Sequence, residues 1–327
     1  MTFPLHSLPN DAILNVIRNM EIYDQIAYSI CSKTSERNVI NQKLKVNSIC
    51  LELFKEIAIS VGLPDYKLFF NIIHPHPIIR CHRYNFDENR MELMWKTRAI
   101  GVRNIISHLC KVLNHPEIDE MLLSSSSINQ INTRISMELI RELVQRKAIK
   151  ILEVRILPQS KARNALQILR FSSILRLQSI PFERQEHWKW KKILAQNLEI
   201  LSFKSPRHAT IDDLLLANSE EISTTHDYFT VKQLNRFLKM WIIGASRRLK
   251  HFFIRITGSL TDDLFEALRG IQFERVPIDC DEVYRSRSSN YPAREIRIRG
   301  EIRIQRHDGT KAVVVLKNGY FSMISSS

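Results

Sequence analysis

The side chains best suited to chemistry fall in a few short stretches, and spacing decides what each can do. His74, His76, Cys81 and His82 could be drawn as a metal cluster, because imidazole and thiolate are the usual zinc ligands. Pro75 and Pro77 interrupt the run and neither HExxH nor CxxC spacing is present, so these residues read as a polar loop and no metal is assigned. Asp212-Asp213 and Asp262-Asp263 offer paired carboxylates of the kind a hydrolase converges on one bond. Each pair follows a threonine within two residues and precedes a leucine, the composition of a helix N-terminus, where a hydroxyl caps free N–H groups and acids oppose the dipole. Trp188-Lys189-Trp190 could stack on nucleic-acid bases, but the commoner reading of such a run is two part-buried rings around a solvated lysine. The chain has eight glycines and none forms GxGxxG or a Walker loop, so the backbone cradle for nucleotide phosphates is missing. No serine, histidine and aspartate stand in a nucleophile-elbow context. The reading is of a non-catalytic protein with no cofactor.

Composition sets the partner class. Lys and Arg number 48 against 34 Asp and Glu, a formal charge of +14, which favours an anionic partner: nucleic acid, or an acidic or phosphorylated protein. The five cysteines are scattered and odd in number, which argues against a disulfide framework. No apolar run approaches the roughly 20 residues of a membrane span, and Pro4 and Pro9 break the N-terminus where a signal peptide would be continuous, so a cytoplasmic or nuclear protein without a membrane partner is expected.

The elements that must carry any surface follow from periodicity. Residues 3 to 45 read as three short helices: Asn10 as a cap, then Ile13, Val16, Ile17 and Met20 on one face, then Ile22, Ile26 and Ile30 at four-residue spacing, then a helix opened by Ser35. Residues 46 to 97 read as a β-rich connecting segment, with strands over 45–53, 56–61 and 67–73, and residues 98 to 113 return to helical spacing. From 98 to 285 a pattern LxxLxL recurs at Ile118, Ile149, Leu198 and Leu249, with degenerate matches starting at Ile174 and Ile222. Helical stretches over 137–146, 162–170, 188–196, 231–243 and 262–268 fill the intervals, which predicts a leucine-rich-repeat-like α/β domain. Residues 286 to 327 read as an antiparallel β-meander: Ile296, Ile298, Ile302 and Ile304 alternate with polar residues, and Asp308-Gly309 and Asn318-Gly319 supply turns. The isoleucine face is expected to cover the open end of the preceding domain.

Taken in order, these segments resemble a known family. Phe3-Pro4-Leu5-x-x-Leu8-Pro9 with Ser29-Ile30-Cys31-Ser32 is similar to an F-box. Leu234-Asn235-Arg236-Phe237-Leu238-Lys239-x-Trp241, and Arg306-x-Asp308-Gly309-Thr310-x-Ala312 with Phe321-x-Met323, resemble the signatures of a nematode-expanded F-box-associated domain of type 2. The tryptophan that many F-boxes carry late in the module is missing from residues 30 to 45. The resemblance implies a substrate-recognition adaptor of a cullin-based (SCF-type) ubiquitin ligase. In it, residues 1–45 would bind the cullin-adaptor subunit and the rest would select a target protein. Leu8, Pro9, Ile13, Ile17, Met20, Ile26 and Ile30 are then the adaptor-binding residues expected. A basic nucleic-acid-binding protein and a ligase-independent scaffold are the alternatives; no RNP, KH or zinc-finger signature supports the former. Aligning the repeats places Arg155, Lys204 and Arg255 just after the third apolar position, where they would face one surface able to attract an acidic or phosphorylated substrate, interrupted at Ile180 and Tyr228.

Overall fold

The computed structural model describes residues 7–53, 57–73, 78–84, 91–96, 102–124, 148–204, 209–226, 229–256, 264–277, 282–285, 295–298, 301–317 and 320–325. The expected helix 137–146, the pair Asp262-Asp263, His74, His76, Tyr228, the Asn318-Gly319 turn and the opening Phe3-Pro4-Leu5 lie outside these. The chain divides into two compact units, Met1–Lys150 with Asn164–Arg170, and Ile151–Arg163 with Phe171–Ser327.

Unit 1 begins with helices α1 (Asn10–Arg18), α2 (Ile22–Cys31) and α3 (Lys33–Ile40). Pro9, not Asn10, is the N-cap of α1; its carbonyl accepts the Ile13 N–H at 3.0 Å, and Asn10 is already helical. Ser32 rather than Ser35 opens α3, its hydroxyl accepting the Ser35 N–H at 3.0 Å, and Ser35 is buried a turn further in. Strands β1 (Ser48–Leu53), β2 (Ile57–Gly62), β3 (Lys67–Ile73), β4 (Ile78–Tyr84) and β5 (Met91–Lys96) form an antiparallel ribbon in chain order. Gly62 of β2 sits opposite Ser48 of β1, where a Cβ would lie 2.8 Å from Ser48 Oγ and make that hydroxyl rotate away. Helix α4 (Val102–Val112) buries Ile105, Leu109 and Val112 and packs beside α2 and α3, while β6 (Glu120–Leu123) runs parallel to β1.

In unit 2, β7 (Ile149–Val154), β8 (Phe171–Leu177), β9 (Ile200–Lys204), β10 (Glu221–His226) and β11 (His251–Ile256) carry the repeat matches. Helices α5 (Gln159–Ile168), α6 (His187–Leu194), α7 (Ile211–Leu216), α8 (Val231–Ile242) and α9 (Leu264–Ala267) occupy the intervals that follow. Strands β8 to β11 pair in parallel, with Leu175, Leu201, Ile222 and Phe252 in one register and Leu177, Phe203, Thr224 and Ile254 in the next. This corrects the alignment of two repeats. Ile222 is the second position of its unit and Ile174 falls between positions, because Ser219 and Ser172 occupy the first positions and an apolar pattern cannot register them. Trp190 of α6 meets Phe203 edge-on at 5.4 Å and Phe237 of α8 lies 4.5 Å from Phe252, so the helices cover this set of strand residues.

The C-terminal alternation is split between two sheets. Strands β13 (Glu282–Arg285) and β14 (Glu295–Ile298) pair with each other, whereas β15 (Ile302–Gln305) lies between β12 (Phe273–Arg275) and β16 (Lys311–Lys317). A period of two fixes which side a residue faces but names no partner strand. Gly309, at φ 90°, turns the chain between β15 and β16. Strand β17 (Tyr320–Ser325) then pairs antiparallel with both β16 and β11, so main-chain hydrogen bonds rather than an isoleucine face close the edge of the parallel strands.

Candidate functional site

At the helical end the expected adaptor-binding residues separate by burial. Ile13, Ile17 and Ile26 are buried inside unit 1, Ile17 and Ile26 at 0% exposure, because their four-residue spacing on each helix points inward. They support a surface and do not form it. Pro9 is exposed, and Leu8, Met20 and Ile30 are half-buried. Val16, one turn before Met20, is 39% exposed, although its apolar type alone could not separate it from the core positions.

A charged cluster ties α2 and α3 to α4. Glu36, buried in α3, accepts from Lys33 Nζ and Lys111 Nζ, both at 2.9 Å, and those bonds hold its carboxyl at about 2. Ser29 Oγ donates to the Ile26 carbonyl at 2.6 Å, so its lone pairs receive the Nε2 hydrogen of His108 at 2.8 Å. His108 Nδ1 then faces Glu36 Oε1 at 3.7 Å, while burial holds the ring below its ordinary pKa. These groups border a cleft of about 550 Å³.

The two signature motifs of unit 2 meet at one joint. Leu234, Phe237, Leu238 and Trp241 of α8 are buried, and Asn235 Nδ2 donates to the carbonyls of Ala267 (2.8 Å) and Arg269 (2.9 Å), capping α9. Arg306, only 8% exposed, lies 5.2 Å from the centre of the Trp241 ring. Its Nε donates to both oxygens of Asp308, its Nη2 to Thr310 Oγ1 at 3.0 Å, and its Nη1 to the Arg247 carbonyl at 3.4 Å. This guanidinium holds the Asp308 carboxyl well below the usual range. The motif residues therefore lock the β15–β16 turn onto the end of α8, where the His307 N–H also bonds the Ile242 carbonyl at 3.0 Å.

Strand residues of the other parity face away from α6 and α8. Lys204, Thr225, Arg255 and Tyr320 are direct neighbours across β9, β10, β11 and β17. Lys204 and Arg255 are exposed, as is Arg155. Thr225 replaces the expected Tyr228 in this row. Gln178 replaces Ile180, one step beyond the Leu177–Phe203 pair, and its N–H bonds the Val154 carbonyl at 2.9 Å, beside Arg155. Arg155 differs from the other two cations: its Nε is 2.6 Å from Glu153, which Arg176 also approaches at 3.6 Å. Phe253, next inward on β11, stacks on Tyr320 at 5.7 Å.

The remaining candidates are structural. Thr210 and Asp213 form a capping box on α7, and the second Asp213 oxygen is 2.7 Å from His187 Nε2. Trp190 is core, and exposed Trp188 lies under Lys192 Nζ at 4.7 Å. Burial pushes the Cys81 thiol to about 12. Among the described residues no three His, Cys, Asp or Glu side chains converge as metal ligands, and no helix is long and apolar enough to cross a membrane.

Comparison with known proteins fits this division. Residues 5–47, spanning α1 to α3, match the F-box domain, and residues 189–254, from α6 into β11, match the family described as F-box associated. Neither is a catalytic family. A Caenorhabditis elegans protein named F-box associated domain-containing protein sdz-33 is 23% identical over 329 residues, covering 98% of this chain and 97% of that protein. No solved structure matches. Two families matched in this order, and a relative aligned along almost the whole length, support a nematode-type F-box protein with an F-box-associated region.

Proposed function

We propose that the protein is a substrate-recognition subunit of a cullin-type ubiquitin ligase. Its F-box docks the small adaptor subunit through the surface of Leu8, Pro9, Val16 and Met20, and unit 2 recruits the target. The F-box match over α1 to α3 carries this reading, together with apolar side chains left on the outer side of α1 while Ile13 and Ile17 fill the inside. The leucine-rich-repeat-like arrangement of unit 2 is part of the proposal; parallel strands alternating with helices support it, with the strand face opposite the helices as the recruiting surface.

Co-purification with the adaptor subunit tests the docking half. Val16→Asp, at an exposed position, and Met20→Asp, at a half-buried one, place a carboxylate in the interface and reduce recovered adaptor by tenfold or more, about 1.4 kcal/mol or greater, with the melting temperature of Val16→Asp unchanged. Undiminished recovery with both folded variants removes the docking surface. Ile17→Asp is the wrong probe, because it buries an unpaired charge in unit 1 and unfolds it.

A further inference from the structure

We propose that the row Lys204, Thr225 and Arg255 binds an extended acidic peptide in polyproline II conformation, with carboxylates at positions i and i+3. The proposal deepens the target-recruiting reading above by naming the segment that unit 2 takes. It starts from pitch. Lys204 and Arg255 stand on β9 and β11, directly across β10, so their Cα atoms are two strand spacings apart, about 9.4–9.8 Å. A polyproline II chain repeats every three residues with a rise of about 3.1 Å each, so side chains at i and i+3 leave the same side about 9.3 Å apart. A β-conformation fits worse, since i and i+3 then point to opposite sides. Such a peptide lies across the strands with one carboxylate over each cation, and the Thr225 hydroxyl sits beneath the backbone between them.

Charge selects the same two residues. Among the described residues neither Lys204 nor Arg255 has an ion pair or a side-chain hydrogen bond, although both are exposed and the chain carries a formal charge of +14. Arg155 already spends its charge on Glu153, and the neutral Gln178 separates it from Lys204, so the row ends there. At the other end Tyr320, stacked on Phe253, offers an aromatic shelf for an apolar residue flanking the acidic pair. Carboxylates are favoured over a single phosphate because the two cations stand a full peptide repeat apart and no side chain among the described residues draws them together.

The test is fluorescence polarisation of the full chain with labelled proline-rich 12-residue peptides on a neutral background. Glutamates are placed at i,i+1, at i,i+3 or at i,i+5; a single-phosphoserine peptide and a 12-nucleotide DNA strand complete the set. The i,i+3 peptide binds tightest. Its affinity falls about tenfold in Lys204→Glu and in Arg255→Glu and stays within twofold in Arg155→Glu. Indifference to glutamate spacing, equal binding by the Lys204→Glu/Arg255→Glu double variant, or tighter binding of the phosphoserine peptide or the DNA each overturns the proposal. Adaptor co-purification on the same preparations separates the two readings. Peptide binding without adaptor recovery sinks the ligase assignment alone, and adaptor recovery without spacing-dependent peptide binding sinks this site alone.

Discussion

His108 shows how one half-buried ring couples acidity to the stability of unit 1. Its folded pKa is depressed because burial disfavours the imidazolium, an effect that outweighs the attraction of Glu36 and is reinforced by Lys33 and Lys111. The unfolded chain therefore binds a proton more readily than the folded one, and stability is lost as pH falls below the ordinary histidine value of about 6.5. Glu36 adds a second loss at lower pH: its carboxyl sits at about 2 in the fold against 4.5 otherwise, so its contribution is complete above 4.5 and vanishes towards 2. A melting series from pH 7.5 to 5.0 should show a falling midpoint, and His108→Gln should flatten that fall while lowering the midpoint at pH 7.5 through the altered bond to Ser29. An unchanged slope in His108→Gln would assign the acid sensitivity elsewhere. None of this was legible in the sequence, where His108 is one histidine of 11 and its partners Ser29 and Glu36 lie 79 and 72 positions away. The core positions Leu201 and Phe203 were legible from the spacing of the repeat, whereas the same kind of periodicity put Ile13 and Ile17 on the adaptor surface, because it groups residues on one face without saying whether that face is covered.

At the scale of elements, helices and parallel strands followed from local pattern, while partners across the chain did not. The capping boxes of α7 and α8 are written within four residues each, Thr210 to Asp213 and Thr230 to Gln233, and the acids at 212–213 were readable as a helix start for that reason. The split of Ile296 and Ile298 from Ile302 and Ile304 was unreadable, since one alternation serves two sheets. The same holds for β17, whose six residues show strand character but not that they seal β11. Deleting residues 318–327 should remove that seal, expose a hydrogen-bonding edge with Phe252 and Ile254 beside it, and make the chain aggregate on concentration more than the full-length protein does. Light scattering at matched concentrations checks this, and a monodisperse deletion would show that β11 needs no cover.

For the molecule as a whole, the formal charge of +14 gives polyanions a general attraction that must be distinguished from recognition. A duplex of mixed sequence should bind weakly at low ionic strength and release as salt rises towards 0.2 M, with no preference among sequences. Tight, sequence-selective binding that survives such salt would restore nucleic acid as the partner class. Charge was legible at a glance, whereas its arrangement needed strand register: of the three expected cations Arg155 is paired with Glu153, and the residue between Lys204 and Arg255 is Thr225 rather than Tyr228. The residues of the two motifs meet in the joint of Trp241 with Arg306, Asp308 and Thr310, which no spacing within either motif announces.

The pairing of β17 with β11 also sets a clock on biosynthesis. His251 and Ser322, which bond across this pair, are 71 residues apart in sequence, so a ribosome adding roughly 5–20 residues per second leaves the β11 edge bare for about 4–14 s after it is made. During that interval the growing chain presents a ready template for another strand. Nascent copies on one messenger, spaced closely enough to meet, are the first that could supply it. Chaperone demand for this protein should therefore rise with slower elongation over residues 256–320, a burden that no property of the finished fold reveals.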